Sequence, residues 1–444
     1  MRLVLLIPML LVGAVPACIN HVNVQCGQDS DCNLSGGGVC AEAAGTGNHW
    51  CAYPDSGCPT GYRYSTLDVG DGVSGVCVPM TSDAGIDANP INTYQSANLV
   101  LGQEDFNTKD VNHGGVSAQS LFGPASIAVD TTGTLWVHDS NNGRVLGWVT
   151  PPAASFAKAD LVVGRTDFMS VGASTYSKST FVAEFAGIGA GGGKLVIPNP
   201  GSHRVLIFNP SPTVNGHDAT IVLGQSDFTS ATTGAGASDL RFPVAAWTDG
   251  TRVVVVDSGN NRVLLWSAFP VANDQPATLV LGQPGFGTGA PGTTASSMSG
   301  PLGVTSDGIR LFVTDYNNNR VLIWNSFPTT NGQPADLVIG QSSFTSKSMG
   351  TSSTSLQEPF GLAVSSNTLF VADAGNNRIL VYSPIPKASG ASAQFVLGQP
   401  DFVTNTSGVS QTALHGPEYL AVQGNQLYVG DLNNNRVVRF GLSF

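Results

Sequence analysis

The sequence predicts an all-β protein: a six-bladed β-propeller closed on itself, preceded by a small disulfide-rich domain. Three observations carry that expectation. The segment Leu-Val-Leu-Gly-Gln-x-x-Phe recurs with little change from Leu99, Leu161, Ile221, Leu279, Leu337 and Phe395, at steps of 62, 60, 58, 58 and 58 residues. A second segment, Asp-x-x-Asn-Asn-Arg-Val-Leu-x-aromatic in its fullest form, recurs in phase with the first. All seven cysteines lie at or before Cys77, ahead of the repeats. Self-similarity at a near-constant period marks a repeat architecture.

Composition agrees. Only 11% of the 444 residues are charged, against about 25% in an ordinary globular protein. The chain is instead rich in turn formers, with 54 Gly and 26 Pro, as expected for many short strands. A net charge of −11 excludes the basic face that nucleic-acid binding requires. Heptads are absent, which excludes a coiled coil.

From the N-terminus, Met1-Arg2 followed by the apolar run 3–15 reads as a signal peptide over residues 1–17. Val15-Pro16-Ala17-Cys18 resembles the lipobox of bacterial lipoproteins, in which Cys18 carries the lipid and becomes the mature N-terminus. The alternative is plain secretion after cleavage at Ala17. Lipidation of Cys18 leaves six cysteines, Cys26, Cys32, Cys40, Cys51, Cys58 and Cys77, an even number for disulfides. Their spacing has no C-x-x-C, so zinc is not expected, and the pairing is open. Residues 18–78 thus read as a lipidated, cystine-rich domain, either a recognition knob or a stiff spacer. Residues 79–96 read as a polar linker and 97–444 as the propeller.

Each repeat reads as four strands. Strand a is of the Ile127-Ala128-Val129 type, b of the Thr134-Leu135-Trp136-Val137 type, c of the Arg144–Trp148 type, and d is the Leu-Val-Leu-Gly-Gln segment. Turns such as Asp249-Gly250 and Asp307-Gly308 suit an a–b hairpin. The array opens on a d strand at Leu99 and ends on a c strand at Arg436–Phe440. Pairing those two completes a sixth blade and leaves no open sheet edge.

Gly-Pro-x-x-Ile-Ala-Val-Asp, Leu-Trp-Val-x-Asp and Asn-x-Arg-Val-Leu together resemble the NHL repeat. The added Leu-Val-Leu-Gly-Gln-x-Asp-Phe is similar to a bacterial extracellular subset of NHL propellers. The resemblance implies the fold. It implies no single activity, since this fold carries lyases, lactone hydrolases, RNA binders and protein-binding platforms.

The repeated polar residues read as scaffold. Asp139, Asp257, Asp315, Asp373 and Asp431 are expected to accept backbone N–H groups in an Asx-type turn. Arg144, Arg204, Arg262, Arg320, Arg378 and Arg436 are expected to fork onto carbonyls or a carboxylate at the blade seams. The alternative is a set of calcium or anion sites. Gln103, Gln225, Gln283, Gln341 and Gln399 are expected to satisfy backbone groups, with the following Phe anchoring the d–a loop. Unit two departs most, with Asn199 for Asp and Arg165 for Gln.

A functional site should appear as broken symmetry on the channel-facing strand. The position after Gly-Pro reads Ala125, Ala186, Val244, Leu302, Phe360 and Glu418; the next reads Ser126, Gly187, Ala245, Gly303, Gly361 and Tyr419. Glu418 and Tyr419 stand out as the candidates for a channel site, metal-assisted or not. The histidines form no triad or metal motif by spacing, so no cofactor or metal is expected. The hydroxyl-rich d–a loops, such as 229–240, 287–298 and 345–356, suit a protein or glycan partner, or serve only as solvated connections. The sequence thus favours a monomeric, noncatalytic binding or scaffold protein held at the bacterial cell envelope, outer membrane or cell surface, by its N-terminal lipid, with secretion as the alternative. A propeller lyase or hydrolase using the channel is the competing reading.

Overall fold

Short Val-, Leu- and Ile-rich segments bounded by Gly, Asn and Asp become strands throughout the computed structural model. It describes residues 39–42, 49–54, 62–65, 74, 76, 91–172, 175–180, 184–365 and 367–442. The chain divides into one unit up to Asn89 and a second spanning Pro90–Leu442.

In the first unit, β1 (Val39–Glu42), β2 (His49–Pro54) and β3 (Tyr62–Tyr64) form an antiparallel sheet in that order. Trp50, Ala52 and Tyr64 are buried, and Cys51 is disulfide-bonded. The expected signal peptide and the cysteines Cys18, Cys26, Cys32, Cys58 and Cys77 lie outside the described residues.

The second unit is a six-bladed propeller. Blade 1 comprises Pro124–Val129, Leu135–Asp139, Arg144–Trp148 and Leu161–Val163 as strands a to d; every other blade repeats this antiparallel order. Blade 6 takes a, b and c from Pro417–Gln423, Gln426–Asp431 and Arg436–Gly441. Its fourth strand is Leu99–Leu101, with Val437, Val438 and Arg439 opposite Leu101, Val100 and Leu99. The ring is therefore closed by its own two ends.

Both faces of each blade are covered, which explains why strand b reads as an unbroken apolar run. In Val253–Asp257, Val253 and Val255 pack towards blade 2 while Val254 and Val256 pack towards blade 4. Six apolar clusters fill the six seams in this way.

The outer d strands are also protected. The c–d loop of the following blade donates an N–H to each: Gly216 to the Val162 carbonyl, Asp274 to Val222, Gly332 to Val280 and Gly390 to Val338. Blade 6 has no c–d loop of its own, and Tyr94 instead donates to Val396. This corrects the expected linker, 79–96: residues 91–96 belong to the propeller and occupy the place of the missing loop. Ile91 is buried in the seam between blades 5 and 6, and Gln95 Nε2 donates to the Gly441 carbonyl, so side chains and backbone together fix this segment.

Blade 2 departs from the others. Its strand a is only Gly189–Gly191, and Gly187 ahead of it exchanges hydrogen bonds with Val244 and Ala246 of blade 3. A Cβ at Gly189 would crowd the Ala246 carbonyl, so the glycines permit backbone to lie against backbone.

Candidate functional site

The b–c turns and the d–a loops share one face of the propeller, because strands a and c begin where b and d end. On that face the repeated polar residues are bound to one another. Arg320 Nε donates to Asp315 Oδ2 at 2.7 Å, with both side chains fully buried. The same pair recurs as Arg144–Asp139, Arg262–Asp257, Arg378–Asp373 and Arg436–Asp431. Asn318 Nδ2 donates to the same Oδ2 at 2.8 Å, and the Ser299 N–H reaches Oδ1 at 2.7 Å.

The Asx-type expectation is therefore corrected. None of these five aspartates caps its own 3-10 turn with its side chain. Oδ1 reaches back to the preceding d–a loop because the b–c turn and that loop meet at the start of strand a. Every one of these arginines except Arg262, whose carbonyl bonds all fall in the preceding loop, continues the tie to the loop after its blade. Arg320 Nη2 donates to the Thr294 and Ser297 carbonyls at 2.9 Å in the loop before its blade, and Nη1 donates to Phe344 O in the loop after it.

The glutamines complete the network. Gln341 Nε2 donates to the Asn319 carbonyl at 2.8 Å and to Ser348 O at 2.7 Å; Gln103, Gln225, Gln283 and Gln399 make the equivalent pairs. The last Asn of the turn in blades 3 to 6, not singled out by the sequence reading, bonds across to the next blade: Asn261 Oδ1 accepts from Gly300 N and Asn377 Oδ1 from Gly416 N. These groups satisfy loop backbone that would otherwise be buried unpaired. In blade 2, Asn199 cannot supply the charge, and buried Arg204 Nε has no hydrogen-bond partner. Burial lowers the Arg204 pKa to about 10, against opposing attractions from Tyr176, Glu184 and Asp227.

The central channel is a cavity of about 190 Å³ lined by the strand a residues of all six blades. Its side chains are almost wholly apolar, among them Ile127, Ile188, Val304 and Leu362, with Thr305 and Ser306 as hydroxyls. Tyr419 closes it on the loop side. The ring crosses from blade 6, and its hydroxyl donates to the Val244 carbonyl at 3.1 Å and the Leu302 carbonyl at 2.8 Å. Gly187 makes room, since a Cβ there would overlap the Tyr419 ring. Burial and the neighbouring Glu418 push the Tyr419 hydroxyl well above its usual pKa.

Glu418 is 6% exposed, and its Oε2 has no hydrogen-bond partner. Burial raises its carboxyl to about 8. Beside it stand groups that the sequence reading left unassigned. Phe360 lies edge-on to Tyr419, centroids 6.3 Å apart, and to Tyr316 at 5.3 Å. The Tyr316 hydroxyl is raised in pKa by burial, by the charge and hydrogen bond of Glu358, and by Glu418. Glu358 carries a signal that sequence could have offered: it stands before proline at φ +51°, where blades 1, 4 and 6 have Gly123, Gly300 and Gly416.

The histidines among the described residues do not assemble. His138 is buried between blades 1 and 2, with Nδ1 3.0 Å from the Ala186 carbonyl, and burial lowers it to about 4. Among the described residues, no group of three or more His, Cys, Asp or Glu is placed to hold a metal ion. No helix among them is long and apolar enough to cross a membrane.

No family model and no curated protein matches the chain. Solved structures do. Virginiamycin B lyase from Staphylococcus aureus is 11% identical with a TM-score of 0.36, over 72% of this chain and 95% of that one. A structural genomics protein of unknown function from Bacteroides thetaiotaomicron is 14% identical with a TM-score of 0.46, over 78% and 76%. A chain of a nidogen/laminin complex is 16% identical with a TM-score of 0.38, over 70% and 89%.

Proposed function

We propose that this chain is an NHL-type propeller that works as an exported, noncatalytic binding protein. Cys18 holds it at the bacterial cell envelope through a lipid, and its d–a loop face meets a protein or glycan partner. The observation that supports this reading is the internal commitment of the repeated Asp, Asn, Arg and Gln side chains, which leaves that face rigid. Rigid loops bind with little ordering cost. The face retains exposed apolar groups, among them Met169, Phe185, Phe242, Met349 and Val403, amid Ser, Thr and Gly. Large exposed side chains in such surroundings suit recognition.

The test is crosslinking on intact producing cells with the wild-type chain and with one whose loops 229–240, 287–298 and 345–356 are replaced by Gly-Ser segments. A stoichiometric protein or glycan adduct that is lost with the loops supports the reading. An identical adduct pattern for both chains refutes it. The competing reading, a lyase or hydrolase of the channel, draws its support from the unpartnered Glu418 carboxyl acting as a general acid. It requires turnover that disappears in Glu418→Gln.

A further inference from the structure

The position that leads into strand a is hydrocarbon except in blade 6. Ala125, Ala186, Val244, Leu302 and Phe360 occupy it in blades 1 to 5, and Glu418 in blade 6. A carboxyl group buried beside hydrocarbon with an oxygen unpartnered is costly, and the cost is relieved by a hydrogen-bond donor or a cation. The charge of Glu418 acts on the Tyr316 and Tyr419 hydroxyls, and Phe360 packs against both of those rings. Phe360 is near perpendicular to Tyr316, at 83°, and to Tyr419, at 85°. Rings set at right angles present faces and edges around a corner, the geometry of cages for organic cations.

The corner is open to solvent: Leu302, Tyr316 and Phe360 are half-buried and Glu358 is exposed. Glu358 keeps a second carboxylate beside Tyr316 at a left-handed φ of +51°, a conformation unfavourable for a residue with a side chain. A hard metal cation would need about six oxygen ligands, and the described residues offer no such group. A weakly hydrated cation with apolar substituents suits a lining of rings and one carboxyl.

We infer that the loop-side mouth of the channel binds a small soluble organic ammonium ion, its substituents against Tyr316, Phe360 and Tyr419 and its charge against Glu418. The inference is independent of the loop-face reading, because the two concern different residues. Binding shifts Glu418 from its neutral to its ionised form, so the ligand's arrival expels a proton below about pH 8.

The experiment is calorimetric titration of the full chain with tetramethylammonium and with choline, in two buffers of different ionisation enthalpy, with sodium chloride as the control. At pH 6.5 the expected result is saturable binding accompanied by release of close to one proton; at pH 9.5 no proton is released. Glu418→Gln, nearly isosteric, is expected to weaken binding by about 10-fold or more and to abolish proton release. Phe360→Leu is expected to weaken binding while keeping the proton release. A thermal unfolding scan of each variant verifies that it is folded. Absence of saturable binding of both ions to the wild type overturns the inference, as does a folded Glu418→Gln chain that binds within twofold of the wild type.

Discussion

Replacing Asp315 by Asn removes one charge and leaves the shape of the side chain intact. Three donors converge on that carboxylate: Arg320 Nε at 2.7 Å, Asn318 Nδ2 at 2.8 Å and the Ser299 N–H at 2.7 Å. The amide offers a single acceptor oxygen, and Arg320, fully buried, becomes a cation without a counter-charge. Breaking a buried ion pair from one side costs about 3–5 kcal/mol. Spread over about 350 residues at about 2.1 cal/mol/K each, the unfolding entropy is about 0.7 kcal/mol/K, so the midpoint should fall by about 4–7 °C. Differential scanning calorimetry reads that shift directly. Asp315→Asn combined with Arg320→Met should not restore the midpoint, because the Thr294, Ser297 and Phe344 carbonyls then lose their donor. A fall below about 1 °C for the single variant would refute the assignment of the pair as the tie between successive loops. Asn199→Asp supplies the converse: a carboxylate restored near the unpartnered Arg204 Nε should raise the midpoint.

Three further outcomes are expected. Gly187→Ala places a methyl group in the space of the Tyr419 ring and should cost about 1–3 kcal/mol in denaturant unfolding; Tyr419→Leu in the same chain should relieve part of it. Glu418 is raised from its ordinary 4.5 to about 8 on folding, so between those values the folded chain holds a proton that the unfolded chain has lost. Its contribution therefore falls as pH rises, by at most about 1.4 kcal/mol per unit. Glu418→Gln should match the wild type near pH 4 and exceed it in stability at pH 8. His138, lowered to about 4, acts oppositely as pH falls below about 6.5, but equally in both chains, so it cancels in the difference. Finally, a chain beginning at Pro90 should elute as a monomer in size-exclusion chromatography. One beginning at Gly102 lacks Leu99–Leu101, exposes the edge of Arg436–Gly441 and should associate.

Much of the fold is legible in the sequence because each blade repeats the same requirements. Val253–Val256 must be apolar on both sides, Gly102 must turn out of its strand at φ +88°, and Arg262 must meet Asp257. The missed features depend on contacts between chain segments far apart. The role of residues 91–96 rests on the Tyr94 N–H meeting Val396 O, on Ile91 entering the seam between blades 5 and 6 and on Gln95 reaching Gly441, all contacts with segments far off in the chain. The direction of the Asp315 carboxylate follows from where the preceding loop runs. At the candidate site, Glu418 and Tyr419 show in the sequence as exceptions to the repeat. Tyr419 crosses the channel only because Gly187, in another blade, lacks a Cβ. Tyr316 and Phe360 become visible as partners only after their blades are brought side by side.

Closure through Leu99–Leu101 also sets an order in time. That strand is among the first parts of the propeller to be synthesised, yet its partner Arg436–Gly441 is the last. Five blades can form as their residues appear, each from neighbouring segments, while the first strand waits without its ladder. Joining the ends is the contact of longest sequence separation in the fold, and such pairings are slow to find. An incomplete chain thus carries an open edge and an unfinished ring, the kind of species on which chaperones act.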